Sequence, residues 1–250
     1  MHLLIVLAHP DRRSFNGRLV DRALDFLPRL GHTVEVSDLY RQDFDAREAA
    51  WHYPRRKDQD YFDVQAEQLH ASDRQDFPLD VRTELARLQR ADLVILQYPM
   101  WWFAAPALMK GWIDRVLVYG QTYTSAMRYE RGHLQGKRAM VSITLGGPES
   151  SFAHDGRNGD IDLLLWPMHM SLRYVGLDVL PPFKAFGVNG SRSDPAGELH
   201  RQSILDAYEQ RLRAIGTTAP LRFNGGSDWD EHGRLLPHAA SHSLAVRHHP

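Results

Sequence analysis

The chain has 250 residues and a mass of 28.7 kDa, 43% of them hydrophobic and 24% charged; that suits one large α/β domain and is too balanced for a disordered or fibrous chain. It has no cysteine, which excludes disulfides, thiolate nucleophiles, iron–sulfur clusters and cysteine-bound zinc and agrees with a cytoplasmic protein. With 30 basic and 31 acidic residues the net charge is −1, so there is no field to steer nucleic acid, and no apolar run is long enough for membrane insertion.

The N-terminus reads Met1-His2-Leu3-Leu4-Ile5-Val6-Leu7-Ala8. Its continuous apolar run predicts a strand over residues 3–8 covered on both faces, not a signal peptide, because no basic n-region precedes it. Leu19, Ala23, Phe26 and Leu27 then recur at helical spacing, which predicts a helix over 15–30 stopped by Gly31. A second strand follows at 33–36. Residues 41–79 are polar, and an excursion that long reads as a lid or an interface element. Further helices are expected at 81–90, 106–118, 161–175 and 197–215. Strands are expected at 92–98 and 138–145, with a short fifth one at 178–180 cut off by Pro181 and Pro182. Residues 220–250 predict a surface C-terminal extension, leaving 1–219 as the domain.

Strands alternating with helices argue for a doubly wound α/β fold, a parallel five-stranded sheet of order 2-1-3-4-5 with helices on both faces. Ligands of such sheets sit outside the carboxyl ends of the strands, near the switch in strand order. Chemistry is therefore expected in the loops that begin at His9, Pro99 and Gly146.

The first loop runs His9-Pro10-Asp11-Arg12-Arg13-Ser14-Phe15-Asn16-Gly17. Free amides at the start of the following helix can hold a phosphate, and the arginines add positive charge; the competing reading is that Ser14 only caps the helix. The glycine pattern of a Rossmann site and the Walker A pattern are both absent. The second loop, Tyr98-Pro99-Met100-Trp101-Trp102-Phe103, places three large aromatics in a row at a strand end. They offer flat surface to a planar ring system, or else a core plug or subunit contact. In the third, Thr144-Leu145-Gly146-Gly147, the two glycines either let backbone approach a ligand or make an ordinary turn. Five of the 14 histidines fall in the last 20 residues; no carboxylate set accompanies them, so a surface tail is expected and no metal site.

Taken together in this order, the three loops resemble the flavodoxin-like NAD(P)H:quinone oxidoreductases of the DT-diaphorase, modulator of drug activity B and potassium-efflux ancillary types. Ser37-Asp38-Leu39-Tyr40, Lys110-Gly111-Trp112 and Trp166-Pro167 also look like family positions. The resemblance implies hydride transfer from NADPH or NADH to a flavin, FAD rather than FMN, and then to a quinone. It implies that His9, Ser14, Phe15 and Asn16 lie by the pyrophosphate and that Met100, Trp101, Trp102 and Phe103 lie along the isoalloxazine. Thr144, Leu145, Gly146 and Gly147 would hold its polar edge, and Glu198 and Arg201 would stand near the adenosine. It further implies a homodimer, with Tyr123 joining Trp102 and Phe103 in the quinone pocket of the partner. DT-diaphorase carries a Tyr and a His beyond the Gly-Gly; the matching positions here are Phe152 and Asn158, which cannot run that proton relay. Asn158, the backbone amides of Gly146 and Gly147, or water are then the candidates for stabilising the reduced ring. Alternatives are a flavin-binding regulatory subunit of a transporter and an azo- or nitro-reductase.

Overall fold

The computed structural model describes residues 1–188, 195–243 and 245–248. Five parallel strands run in the order β2-β1-β3-β4-β5: β1 (His2–Leu7), β2 (Thr33–Asp38), β3 (Leu93–Pro99), β4 (Arg138–Thr144) and β5 (Asp178–Ala185). The continuous apolar run of β1 serves two cores at once. Leu3, Ile5 and Leu7 join the core beneath α1 (Phe15–Phe26), while Leu4, Val6 and Ala8 join the other. Alternate side chains of a strand point to opposite faces, so a strand buried on both faces has no polar alternation.

The first face is completed by the last helix, α6 (Pro195–Arg213), which packs on α1. The second carries α3 (Leu79–Arg90), α4 (Ala107–Val116) and α5 (Ile161–Tyr174). The expected helix over 15–30 divides: α1 stops at Phe26 and a 3-10 turn over Leu27–Leu30, with Pro28 in its first turn, leads to Gly31 at φ +77°.

One expectation needs correcting, and one region holds an element the sequence did not show. The fifth strand does not stop at the prolines but continues to Ala185. β5 is an edge strand, and its register against β4 shifts between Met140 and Ser142, opposite the prolines. An irregularity on an edge strand tolerates residues that have no N–H to donate. The excursion at 41–79 contains a helix, α2 (Val64–Arg74), which Asp63 caps by accepting from Ala66 N–H at 2.9 Å. The buried residues of α2 are Glu67, Gln68, Ala71 and Ser72, so it lacks the apolar stripe by which helices are read.

After α6 the chain returns to β5, where Leu221 N–H donates to the Val179 carbonyl at 2.7 Å. Phe223 then packs on Trp166 of α5, with ring centroids 5.7 Å apart.

Candidate active site

The carboxyl ends of β1, β3 and β4 open into a cleft of about 380 Å³. It is lined by His9, Arg13, Ser14, Phe15 and Asn16 from the first loop, Pro99, Met100 and Trp101 from the second, and Thr144, Leu145 and Gly146 from the third. The sheet places these loops side by side because β1, β3 and β4 are adjacent in strand order.

In the first loop Ser14 caps the helix and still leaves free amides at its start. Its Oγ accepts from Gly17 N–H at 3.2 Å and caps α1. That leaves the first-turn amides of Phe15 and Asn16, which have no carbonyl within the helix to bond, beside the cleft. Both Asp11 N–H, at 3.0 Å, and the Asp11 carbonyl, at 2.9 Å, lie against His9 Nδ1, so the ring is held by that nitrogen in either tautomer. Burial lowers the His9 pKa, only partly opposed by Asp11. The two arginines part company: Arg13 lines the cleft, whereas Arg12 turns back to the Gly17 carbonyl and to Asp21 on α1.

Beneath the cleft floor runs a buried polar chain. Gln97 Nε2 donates to Asn16 Oδ1 at 2.8 Å, and Asn16 Nδ2 donates to Thr144 Oγ1 at 2.9 Å. It ties β3, α1 and β4 together under the site, and such a network fixes rotamers as well as positions.

The aromatic loop is held in an unusual backbone. Trp102 and Phe103 have φ of +51° and +60°, a region bulky residues rarely enter. Strain of this kind persists where surrounding structure enforces it, and it clusters at functional sites. Here Trp101 and Ala104 exchange two backbone hydrogen bonds across the turn. The result is that Trp101 packs near His9, with centroids 6.0 Å apart, while Trp102 is 95% exposed and Phe103 is half-exposed. Trp102 and Phe103 therefore stand on the rim and not among the cleft-lining residues.

Gly147, Phe152 and Asn158 come together beyond β4. A Cβ on Gly147 would lie 3.2 Å from the Phe152 ring and 3.6 Å from Asn158 Nδ2. At the other end, α1 and α6 meet through Arg18, Glu198 and Arg201. Arg18 donates twice to Glu198, at 3.0 and 2.6 Å, and Arg201 Nε donates to it at 2.9 Å. These bonds, Arg18 first, pull the Glu198 pKa down to about 2. Glu198 is thus engaged within the chain and does not line the cleft; Arg201 does, buried, with one guanidinium nitrogen unpaired.

Arg18 and Val188 also line the cleft and were missed from the sequence. Arg18 could have been found, since it follows Ser14 by one helical turn on the same face. Val188 could not, because no residue pattern marks where the loop after β5 returns.

Tyr123 lies elsewhere. It stacks edge-on between Tyr119, at 5.4 Å, and Tyr174, at 5.3 Å, in a groove of about 580 Å³ between α2, α4 and α5. Gln65 of α2 donates to its hydroxyl at 3.3 Å.

The flavodoxin-like family model matches residues 1–212. Among characterised proteins, the ribosyldihydronicotinamide dehydrogenase [quinone] of Pongo abelii is 38% identical over 227 residues, covering 88% of this chain and 94% of its own. NAD(P)H dehydrogenase [quinone] 1 of Cavia porcellus is 37% identical over 229 residues, covering 91% and 82%. A solved protein from Klebsiella pneumoniae, assigned as a quinone reductase, superposes with a TM-score of 0.87 at 33% identity over 96% of each chain. The likeness extends over nearly the whole sheet and all three loops, and on that ground the chain belongs to the quinone oxidoreductases of the flavodoxin-like family.

Proposed function

We propose that this protein is an NAD(P)H:quinone oxidoreductase that holds FAD in the cleft and works as a homodimer. The observation that carries the reading is the cleft itself, with free helix-start amides at one strand end, strained aromatics at the next and a glycine-rich turn at the third. Its residues match a flavin in charge and shape. One guanidinium nitrogen of Arg201 is buried without a hydrogen bond although Glu198 pairs the charge, and such an unmade bond calls for a further acceptor.

A bound flavin would supply the two-electron chemistry, taking hydride from the nicotinamide and passing it to the acceptor. This chain's residues supply position. The amides of Phe15 and Asn16, with Ser14, His9 and Arg13 nearby, hold the phosphates. Met100 and Trp101 form the wall on which a flat ring lies, and Trp102 and Phe103 on the rim guide planar substrates onto it. Thr144 to Gly147 present hydroxyl and backbone donors to the ring's polar edge. Asn158 donates where charge develops, while Phe152 closes the pocket against water. Glu198 acts by holding Arg18 and Arg201 in place, and Arg201 reaches the adenosine end, which favours FAD over FMN. The excursion at 41–79 adds no wall to this cleft, so the case for FAD rests on the end of the cleft between α1 and α6.

In the dimer, the groove between α2, α4 and α5 receives the second copy, and Tyr123 completes the partner's quinone pocket. On this reading 1–219 is the flavin-binding domain, the extension from 220 shapes the face beside it, and the enzyme is cytoplasmic. Among the described residues no helix is long and apolar enough to cross a membrane.

The test is the chromophore of purified protein, identified by mass spectrometry after heat release, with NAD(P)H oxidation by a naphthoquinone measured in the absence of any membrane protein. FAD and full turnover are expected. FMN alone would overturn the choice of flavin. Turnover only with a membrane partner would favour the regulatory subunit.

A further inference from the structure

The C-terminal segment creates a cavity that shares no lining residue with the cleft. It measures about 400 Å³ and lies between α5, the edge strand β5 and residues 221–223 and 242–243. This is within the size range of small-molecule pockets.

Its walls have two characters. Trp166 and Phe223 form one apolar wall, their rings 5.7 Å apart and inclined by 35°. Pro181 and Pro182 of β5 add another. Such surfaces take flat rings. Lys184 from β5, Arg222 from the C-terminal segment and Asp162 from α5 bring charge to it, and the His242 ring also lines it. Lys184 Nζ lies 3.4 Å from Asp162 Oδ1, which leaves Arg222 as a further cation beyond that pair. The balance favours an anion.

At the inner end stands His169. It is 4% exposed, it lines the cavity, and its Nε2 is buried without a hydrogen-bond partner. Nothing in the proposed flavin chemistry uses it. Buried ring nitrogens are nearly always paired, because an unmade bond there carries the full desolvation penalty. A ligand oxygen would supply the missing partner.

We propose that this cavity is a second ligand site, for a small aromatic carboxylate. The ring lies against Trp166 and Phe223, and the carboxylate sits between Lys184, Arg222 and the His169 ring. Burial keeps His169 neutral, with a pKa lowered to about 4. A bound carboxylate favours the protonated imidazole, so occupancy raises that pKa.

The experiment titrates 2-naphthoate into the holoenzyme with ¹⁵N-labelled histidine rings, the His169 signal being assigned by its loss in His169→Gln. A saturable shift of that signal and an upward move of its pKa are expected. Lys184→Met should weaken binding by about fivefold or more. Leu163→Trp, at an exposed position on the cavity wall, should block it without disturbing the core. No shift at His169 up to about 10 mM, a concentration that would reveal even millimolar binding, overturns the proposal. So does a change confined to the flavin spectrum, which would place the ligand in the cleft. Equal binding of neutral 2-naphthamide would overturn the assignment of an anion.

Discussion

The cleft at the ends of β1, β3 and β4 and the groove that holds Tyr123 are built by different means. The cleft is made by local chemistry at strand ends: a cap, a tight aromatic turn, a pair of glycines. The groove is assembled by packing between distant segments. Tyr123 and Tyr174 line it and meet the rings of Tyr119 and Tyr129 edge to face, at 4.9 to 5.4 Å between neighbouring rings, although Tyr174 is far along the chain from the others. A surface of the first kind can be read from consecutive residues. One of the second kind exists only after folding.

Damage to the cleft should therefore remove cofactor and leave assembly intact, and damage to the groove should do the reverse. The broadest effect on the cleft is expected at Gly17. A Cβ there would lie 1.7 Å from the Arg12 carbonyl oxygen, so the loop cannot keep its shape. Gly17→Ala should cost about 1–3 kcal/mol in local strain and release flavin on gel filtration. A variant that still elutes yellow, with unchanged flavin affinity, would mean that the first loop does not cradle the cofactor.

Arg201→Met sharpens the same side of the comparison. It removes the buried guanidinium without leaving a void, since Met adapts its shape. A charge-assisted hydrogen bond contributes about 1.5–3 kcal/mol, so the apoprotein should bind FAD more weakly by about ten- to a hundredfold. Affinity for FMN should barely change. Equal losses for both flavins would place Arg201 away from the adenosine.

The groove is tested by Val64→Arg, at an exposed position of α2 on its wall. If the proposed dimer forms here, an unpaired charge should raise its dissociation constant by about tenfold, or about 1.4 kcal/mol, with flavin content unchanged. Light scattering across a dilution series reads this directly. An unaltered dimer would mean that the second copy sits on another face.

The same contrast explains what the sequence reveals. The parallel sheet was legible because apolar stretches alternate with helical ones, most plainly in the unbroken apolar run of β1. Leu19, Ala23 and Phe26 announced α1 by their helical spacing. α2 was illegible because its buried side is Glu67, Gln68, Ala71 and Ser72, whose partners lie on other elements: Glu67 accepts from the Lys57 and Asp58 amides, and Gln68 accepts from Tyr119 N–H. The length of β5 was illegible because its prolines break every strand rule except the one for irregular edges. Within the site, the loops were legible but the reach of each side chain was not. Glu198 turned out to face Arg18 rather than the cleft, a pairing made across 180 residues.

The smallest expected effect concerns protons. Phe152 and Asn158 flank Gly147, and neither titrates. Burial lowers the pKa of His9 below the ordinary histidine value, so above that value its ring is mostly neutral. Its folded pKa lies below the unfolded one, so charging it opposes the fold only as pH falls below that value. Phe152 and Asn158 contribute no charge change between about pH 6.5 and 8, and His9 contributes only the tail of one. Flavin reduction by NAD(P)H in stopped flow should then vary by less than about twofold over that window. Asn158→Ala should lower the whole profile without tilting it. A fully enclosed donor to developing charge is worth about 3 kcal/mol, and the open rim beside Trp102 lets water replace part of that. A steep profile centred on an ordinary histidine pKa would show that a titrating group serves the ring after all. His154, exposed on the same turn as Phe152, would be the residue to replace first.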